Sequence, residues 1–133
     1  MCPVKTLYQA VAITALILVR PITATVEDKS AERWVSLCRP VVEAPLDRNG
    51  DVVTPDTFSA GRCFGAFESL QVLSALQIGG KPALGICPPT KTTMTQWVAV
   101  FVEYTKRHPE RYQEPFARVA LDALAESFPC RGK

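Results

Sequence analysis

The stretch from Ile86 to Cys130, ICPPTKTTMTQWVAVFVEYTKRHPERYQEPFARVALDALAESFPC, decides the fold, because it spells two helices with their start and stop signals and sets a cysteine outside each end. Thr93-Met94-Thr95-Gln96 is a capping box: the Thr93 hydroxyl serves the first turn and the Gln96 side chain reaches back to the cap. From there Trp97, Phe101 and Tyr104 recur on one helical face, Val98 and Val102 widen it, and Pro109 stops the helix just beyond His108. After a short connection Glu114-Pro115 opens another helix, whose Val119, Ala120, Ala123 and Leu124 face inward and which ends at Phe128-Pro129. Two helices joined so briefly run antiparallel, and their outer ends meet. Cys87, just before the first, is therefore expected to bond Cys130, just after the second.

Upstream, AERWVSLCR sets Ala31, Trp34, Val35 and Cys38 on one face of a short helix capped by Ser30. Residues 40–56, with three prolines and the turn DRNGD, are expected to form a loop. Its only β-like fragments, PVVEAP and DVVT, have the composition of a small hairpin about Asn49-Gly50. Thr54 with Pro55 behind it is the expected start of a second helix, carried by Phe58, Gly61, Gly65, Phe67, Leu70, Leu73 and Leu76 as far as Gly79-Gly80. Gly61 and Gly65 share a face, and each weakens the helix by up to ~1 kcal/mol, so close approach by another helix is the expected compensation. Cys38 at the end of one helix and Cys63 early in the next are brought together as the other two cysteines are. The expected fold is all-α, a small bundle of about four helices with two disulfides and a short β-hairpin in the first interhelical loop.

The cysteine count agrees with export. The first 24 residues carry one Lys5, an uncharged run from Thr6 to Val19, and small residues up to Ala24, the pattern of a secretory signal too short to span a bilayer. Cleavage after Ala24 leaves residues 25–133 as one domain with four cysteines, Cys38, Cys63, Cys87 and Cys130. Zinc is the rival use of four cysteines. With no C-x-x-C spacing and a lone His108, disulfides are the better account. Bridges closing these loops would contribute ~3.5 kcal/mol for Cys38 to Cys63 and ~4 kcal/mol for Cys87 to Cys130.

Charge argues against several classes of partner. The formal +2 of the chain resides in Lys5 and Arg20, so residues 25–133 balance 13 basic against 13 acidic side chains. No basic cluster suits a nucleic acid, and no stable membrane association is expected once the signal is removed. Asp47, Asn49 and Asp51 have calcium-loop spacing, but Val52 takes the glycine position and Phe58 that of the bidentate glutamate, which favours a solvated turn. His108 before a proline suits a helix end better than a catalytic base, and no triad-like set accompanies it. Neither an enzyme nor a cofactor is expected. Trp34, Trp97, Phe101 and Tyr104 are expected in the core, and Lys106, Arg107, Glu110 and Arg111 in solvent.

LCRP, GRCFGAFES and the long C-terminal stretch, in that order, resemble the Rap/Tai family of periplasmic immunity proteins, which neutralise peptidoglycan amidases delivered by type VI secretion. The resemblance rests on Cys63 and Gly65, Cys87 and Pro88, Tyr104 with His108-Pro109-Glu110, and Phe128-Pro129-Cys130. The chain departs from the pattern at Pro89 and in its long 40–56 loop. The resemblance implies a protein that sterically occludes an amidase effector in the periplasm. Asp47, Arg48, Asn49 and Asp51 are the candidate contact loop, with a variable surface connection as the equal alternative. It also implies that a homodimer can form, for which the Gly61/Gly65 face is a candidate, as is packing inside one protomer. Matching residues of this kind fix a fold more than a partner. A periplasmic helical chaperone of the acid-stress type is the alternative, disfavoured by the neutral charge of residues 25–133.

Overall fold

The computed structural model describes residues 28–53 and 55–130. The expected signal segment, residues 1–24, and the expected helix cap Thr54 lie outside the described residues. Among the described residues there are four helices, α1 (Ala31–Val42), α2 (Phe58–Ser74), α3 (Met94–Arg107) and α4 (Phe116–Ser127), with a 3-10 turn at Pro109–Arg111.

Each start has a chemical cause. Ser30 accepts a hydrogen bond from the Arg33 amide at the head of α1, and Thr93 and Gln96 form the reciprocal capping box of α3. Helix α2 begins later than expected: its cap is Thr57, whose hydroxyl accepts from the Ala60 amide at 3.1 Å. Helix α1 runs further than expected, through Pro40 to Val42. Proline forfeits one helical hydrogen bond there, but Val41 beyond it is fully buried, and that packing holds the last turn in place.

The cysteines pair as expected, Cys38 with Cys63 and Cys87 with Cys130. The second bond closes the open end of the α3–α4 hairpin, where the Cys87 amide also donates to the Phe128 carbonyl at 2.8 Å and Ile86 faces Pro129 in an antiparallel bridge. The heads of α1 and α4 are tied in the same way: Ala31 N–H donates to the Glu114 carbonyl and Phe116 N–H to the Lys29 carbonyl, both at 2.8 Å. Around Phe116 the core is aromatic, with that ring edge-on to Phe67 and Phe101 at 5.6 and 5.2 Å and stacked on Trp34 at 4.3 Å, while the buried Trp97 lies 6.1 Å from Phe128.

Two expectations about the connections are corrected. Helix α2 ends at Ser74, and Gly79-Gly80 form the turn of a hairpin between β1 (Gln77–Ile78) and β2 (Lys81–Pro82). Both glycines have positive φ, 59° and 76°, as a two-residue hairpin turn requires. In the first interhelical loop the expected hairpin amounts to a single bridge, Leu46 to Val52. The Asp47 carboxylate there accepts from the Asn49 and Asp51 amides, a local turn that satisfies the backbone without a longer ladder.

Candidate functional interface

The proposed contact residues Asp47, Arg48, Asn49 and Asp51 stand at the tip of the loop between α1 and α2, all exposed. The loop is held in shape. The Asp47 amide donates to the Asp51 carbonyl at 2.7 Å and the Val53 amide to the Pro45 carbonyl at 2.9 Å, and Gly50 supplies a positive φ of 84°. Asp47 Oδ1 is occupied by two backbone amides, at 2.8 and 2.9 Å, so its chemistry is that of a turn staple. Leu46, Val52 and Val53 are exposed beside the tip, giving it apolar shoulders that the sequence reading, attentive to polar residues, passed over.

Gly61 and Gly65 are a correction. The buried side of α2 is Ala60, Cys63, Phe67 and Leu70, and both glycines face away from it, with open space where a Cβ would stand. No helix of the same protomer approaches them. Phe58 and Leu73, expected on the inner stripe, are likewise exposed.

Arg111 is the second correction. Expected in solvent, its side chain is only 15% exposed and joins three elements. Its guanidinium donates to both carboxylate oxygens of Glu114 at 3.0 and 2.9 Å, to Asp122 at 2.6 Å and to the Tyr104 hydroxyl at 2.6 Å. The bidentate bond to Glu114 raises the Arg111 pKa further, and Arg111 in turn lowers that of Glu114. Tyr104 is buried by its ring while its hydroxyl reaches this network, which fixes the turn between α3 and α4. Nothing in the local sequence marks Arg111, because its partners lie three, seven and eleven residues away on different elements.

His108 terminates α3, with Nδ1 3.1 Å from the Glu110 carboxylate and its ring 4.4 Å from that of Tyr104. Hydrogen bonds from its own backbone amide and from His108 lower the Glu110 pKa. Every described cysteine is in a disulfide, so none of these four offers a thiol nucleophile. Among the described residues there is no group of three or more metal-ligating side chains, and no helix is long and apolar enough to cross a membrane.

Two concave places adjoin these features. A groove of about 470 Å³ runs between the entry of α3 and the end of α4, lined by Pro89, Lys91, Gln96, Val100 and Phe128. A smaller one, about 200 Å³, opens beside the Trp34–Phe116 stack, with Lys29 and Arg62 at its rim. The architecture is thus a clamped helical scaffold with a stapled loop and shallow clefts, a form suited to binding.

Residues 30–130 match the family model of Rap1a immunity proteins. The chain belongs to that family. The match begins at the cap of α1 and ends at the last cysteine, so all four helices and both disulfides lie within it. Neither the curated protein sequences nor the solved structures contain a match to the chain. Family membership implies an immunity role exercised by binding a toxin, in agreement with the resemblance drawn from the cysteine and proline motifs.

Proposed function

We propose that the protein is exported to the periplasm, where it binds a peptidoglycan amidase effector of type VI secretion and blocks its cleft without doing chemistry itself. The observation that carries this reading is the family match over residues 30–130. Two disulfides within that match fit an oxidising compartment. In this reading residues 1–24 are the signal, cleaved after Ala24, and the stapled 47–51 loop with its apolar shoulders enters the effector cleft. A loop held by its own backbone bonds loses little conformational freedom on binding, which favours affinity.

The test is co-expression of the full chain with periplasm-directed amidase effectors, beside a form lacking residues 1–24. Protection is expected from the exported form alone, and is expected to persist in His108→Ala, since no proton transfer is involved. N-terminal sequencing of the periplasmic protein should begin at Thr25. Absence of both protection and binding across the amidases encoded with the protein overturns the reading.

A further inference from the structure

The cleft beside the Trp34–Phe116 stack has a chemistry of its own. Its volume is about 200 Å³, and its walls are Trp34, Pro115, Phe116 and Ala117, with Lys29 and Arg62 at the rim. Pockets for cofactors and small molecules run to about 300–1,000 Å³, so this one has room for a single side chain. Phe116 fixes one wall, because its ring is stacked on Trp34 at 4.3 Å and its amide donates to the Lys29 carbonyl at 2.8 Å. Trp34 is only half-buried, which leaves part of its indole open to an incoming group. The Arg62 guanidinium lies 5.5 Å from the centre of that ring. The charges at the cleft have one sign, since none of the residues lining it is acidic. The acids nearest to its walls in sequence are engaged elsewhere: Asp28 accepts from the Ser30 amide at 2.8 Å, Glu32 from the Gln113 side chain at 2.9 Å, and Glu114 from Arg111. Arg62 carries five N–H donors and can serve several acceptors at once.

We propose that this cleft is a socket for one acidic side chain of a partner protein, presented on a segment with apolar residues beside it. The stem of a glutamate lies along Trp34 and Pro115, and its carboxylate reaches between Lys29 and Arg62. Charge complementarity sets the sign of the occupant, and the apolar walls set its form: a free phosphate would meet the two cations but leave those walls unfilled. Tryptophan and arginine are also the residue types that most often carry binding energy at protein interfaces. Because residues 25–133 are neutral as a whole, the two cations are a local feature rather than part of a general basic surface. Helix α4 starts at this cleft with no acidic residue in its first turn, so its dipole adds to the same sign.

The inference goes beyond the immunity reading and is tested without any effector, by proton–nitrogen NMR on the purified, disulfide-bonded protein. The probes are the capped tripeptide acetyl-Leu-Glu-Leu-amide and its neutral counterpart acetyl-Leu-Gln-Leu-amide. The chain has two tryptophans, and Trp97 is fully buried, so the indole signal of Trp34, assigned with Trp34→Phe, is the one expected to move. A single side chain in a shallow cleft should bind with a dissociation constant on the order of 1 mM. The glutamine peptide should bind about tenfold more weakly, and Lys29→Gln and Arg62→Gln should each weaken the glutamate peptide by about threefold. The two substitutions together should abolish the preference for glutamate over glutamine while leaving the circular dichroism spectrum unchanged. Inorganic phosphate at the same concentrations should leave the Trp34 signal in place. A Trp34 signal unmoved by the glutamate peptide at about 10 mM, equal binding of the two peptides, a preference that survives the double substitution, or an equal response to phosphate overturns the proposal.

Discussion

Replacing Cys38 and Cys63 together by alanine, and separately Cys87 and Cys130, opposes two contributions to stability. The first bond closes a separation of 25 residues and the second one of 43. Loop entropy alone gives about 3.5 and about 4 kcal/mol, so the longer loop leads by only about 0.5 kcal/mol. Burial acts in the other direction. Cys38 and Cys63 are both fully buried in the core, whereas Cys87 is half-buried and Cys130 exposed. Removing two sulfurs from a packed interior costs on the order of 1 kcal/mol each, against little at the surface. The Cys38/Cys63 variant is therefore expected to lose about 5.5 kcal/mol and the Cys87/Cys130 variant about 4. The hairpin end also keeps the Cys87 amide bond to Phe128 when its sulfurs are gone. Equilibrium urea unfolding of both variants, followed by far-ultraviolet circular dichroism and compared at a common slope, measures the difference. A Cys87/Cys130 variant less stable than its counterpart would refute the reasoning and leave loop length as the governing factor.

Other outcomes follow from single contacts. Limited dithiothreitol should open Cys87–Cys130 before Cys38–Cys63, because exchange requires access for the attacking thiolate; alkylation and peptide mapping would show the order. Tyr104→Phe removes the acceptor for Arg111 and should cost about 1–2 kcal/mol in urea unfolding, with no loss of ring burial. Thr93→Ala removes half of the α3 capping box and should cost about 1 kcal/mol by the same measurement. Glu114 has its folded pKa lowered by Arg111, so its contribution is fully present above the unfolded value of about 4.3 and disappears as pH falls through the lower folded value. Glu114→Gln should flatten the stability profile below about pH 4.5, and an unchanged acid limb in that variant would contradict this account.

The parts of the fold legible in the sequence were those specified by local chemistry. The Thr93 box, the His108-Pro109 stop and the inward Val119, Ala120, Ala123 and Leu124 each announce themselves within a turn or two, and the antiparallel hairpin they define was enough to pair the cysteines. Helix α2 resisted the same method because periodicity identifies a core face only when the opposite face is polar. With apolar or small residues on both sides, Phe58 and Leu73 were as eligible for the core as Phe67, and the start of the helix was equally open between Thr54-Pro55 and Thr57. Tertiary packing settled the choice: Cys63 is committed to Cys38, and that bond orients Ala60, Phe67 and Leu70 inward with it.

Arg111 shows the complementary difficulty. Its local neighbours are polar, and a charged residue in a turn is ordinarily solvated. Here Tyr104 is drawn inward by its ring, the short connection returns the chain past it, and Asp122 arrives from α4, so four polar groups converge at the closed end of the hairpin. The disulfide holds the other end, which leaves the α3–α4 pair fixed at both extremities by different chemistry. The two fixings should also fail separately: acid protonates the carboxylates that hold Arg111, whereas reductant opens Cys87–Cys130. The two ends should accordingly contribute independently to the stability of a binding protein built on this hairpin. Thermal unfolding of Glu114→Gln with and without the Cys87–Cys130 bond tests that directly: losses that simply add would support two independent ends, and a strong departure from additivity would refute them.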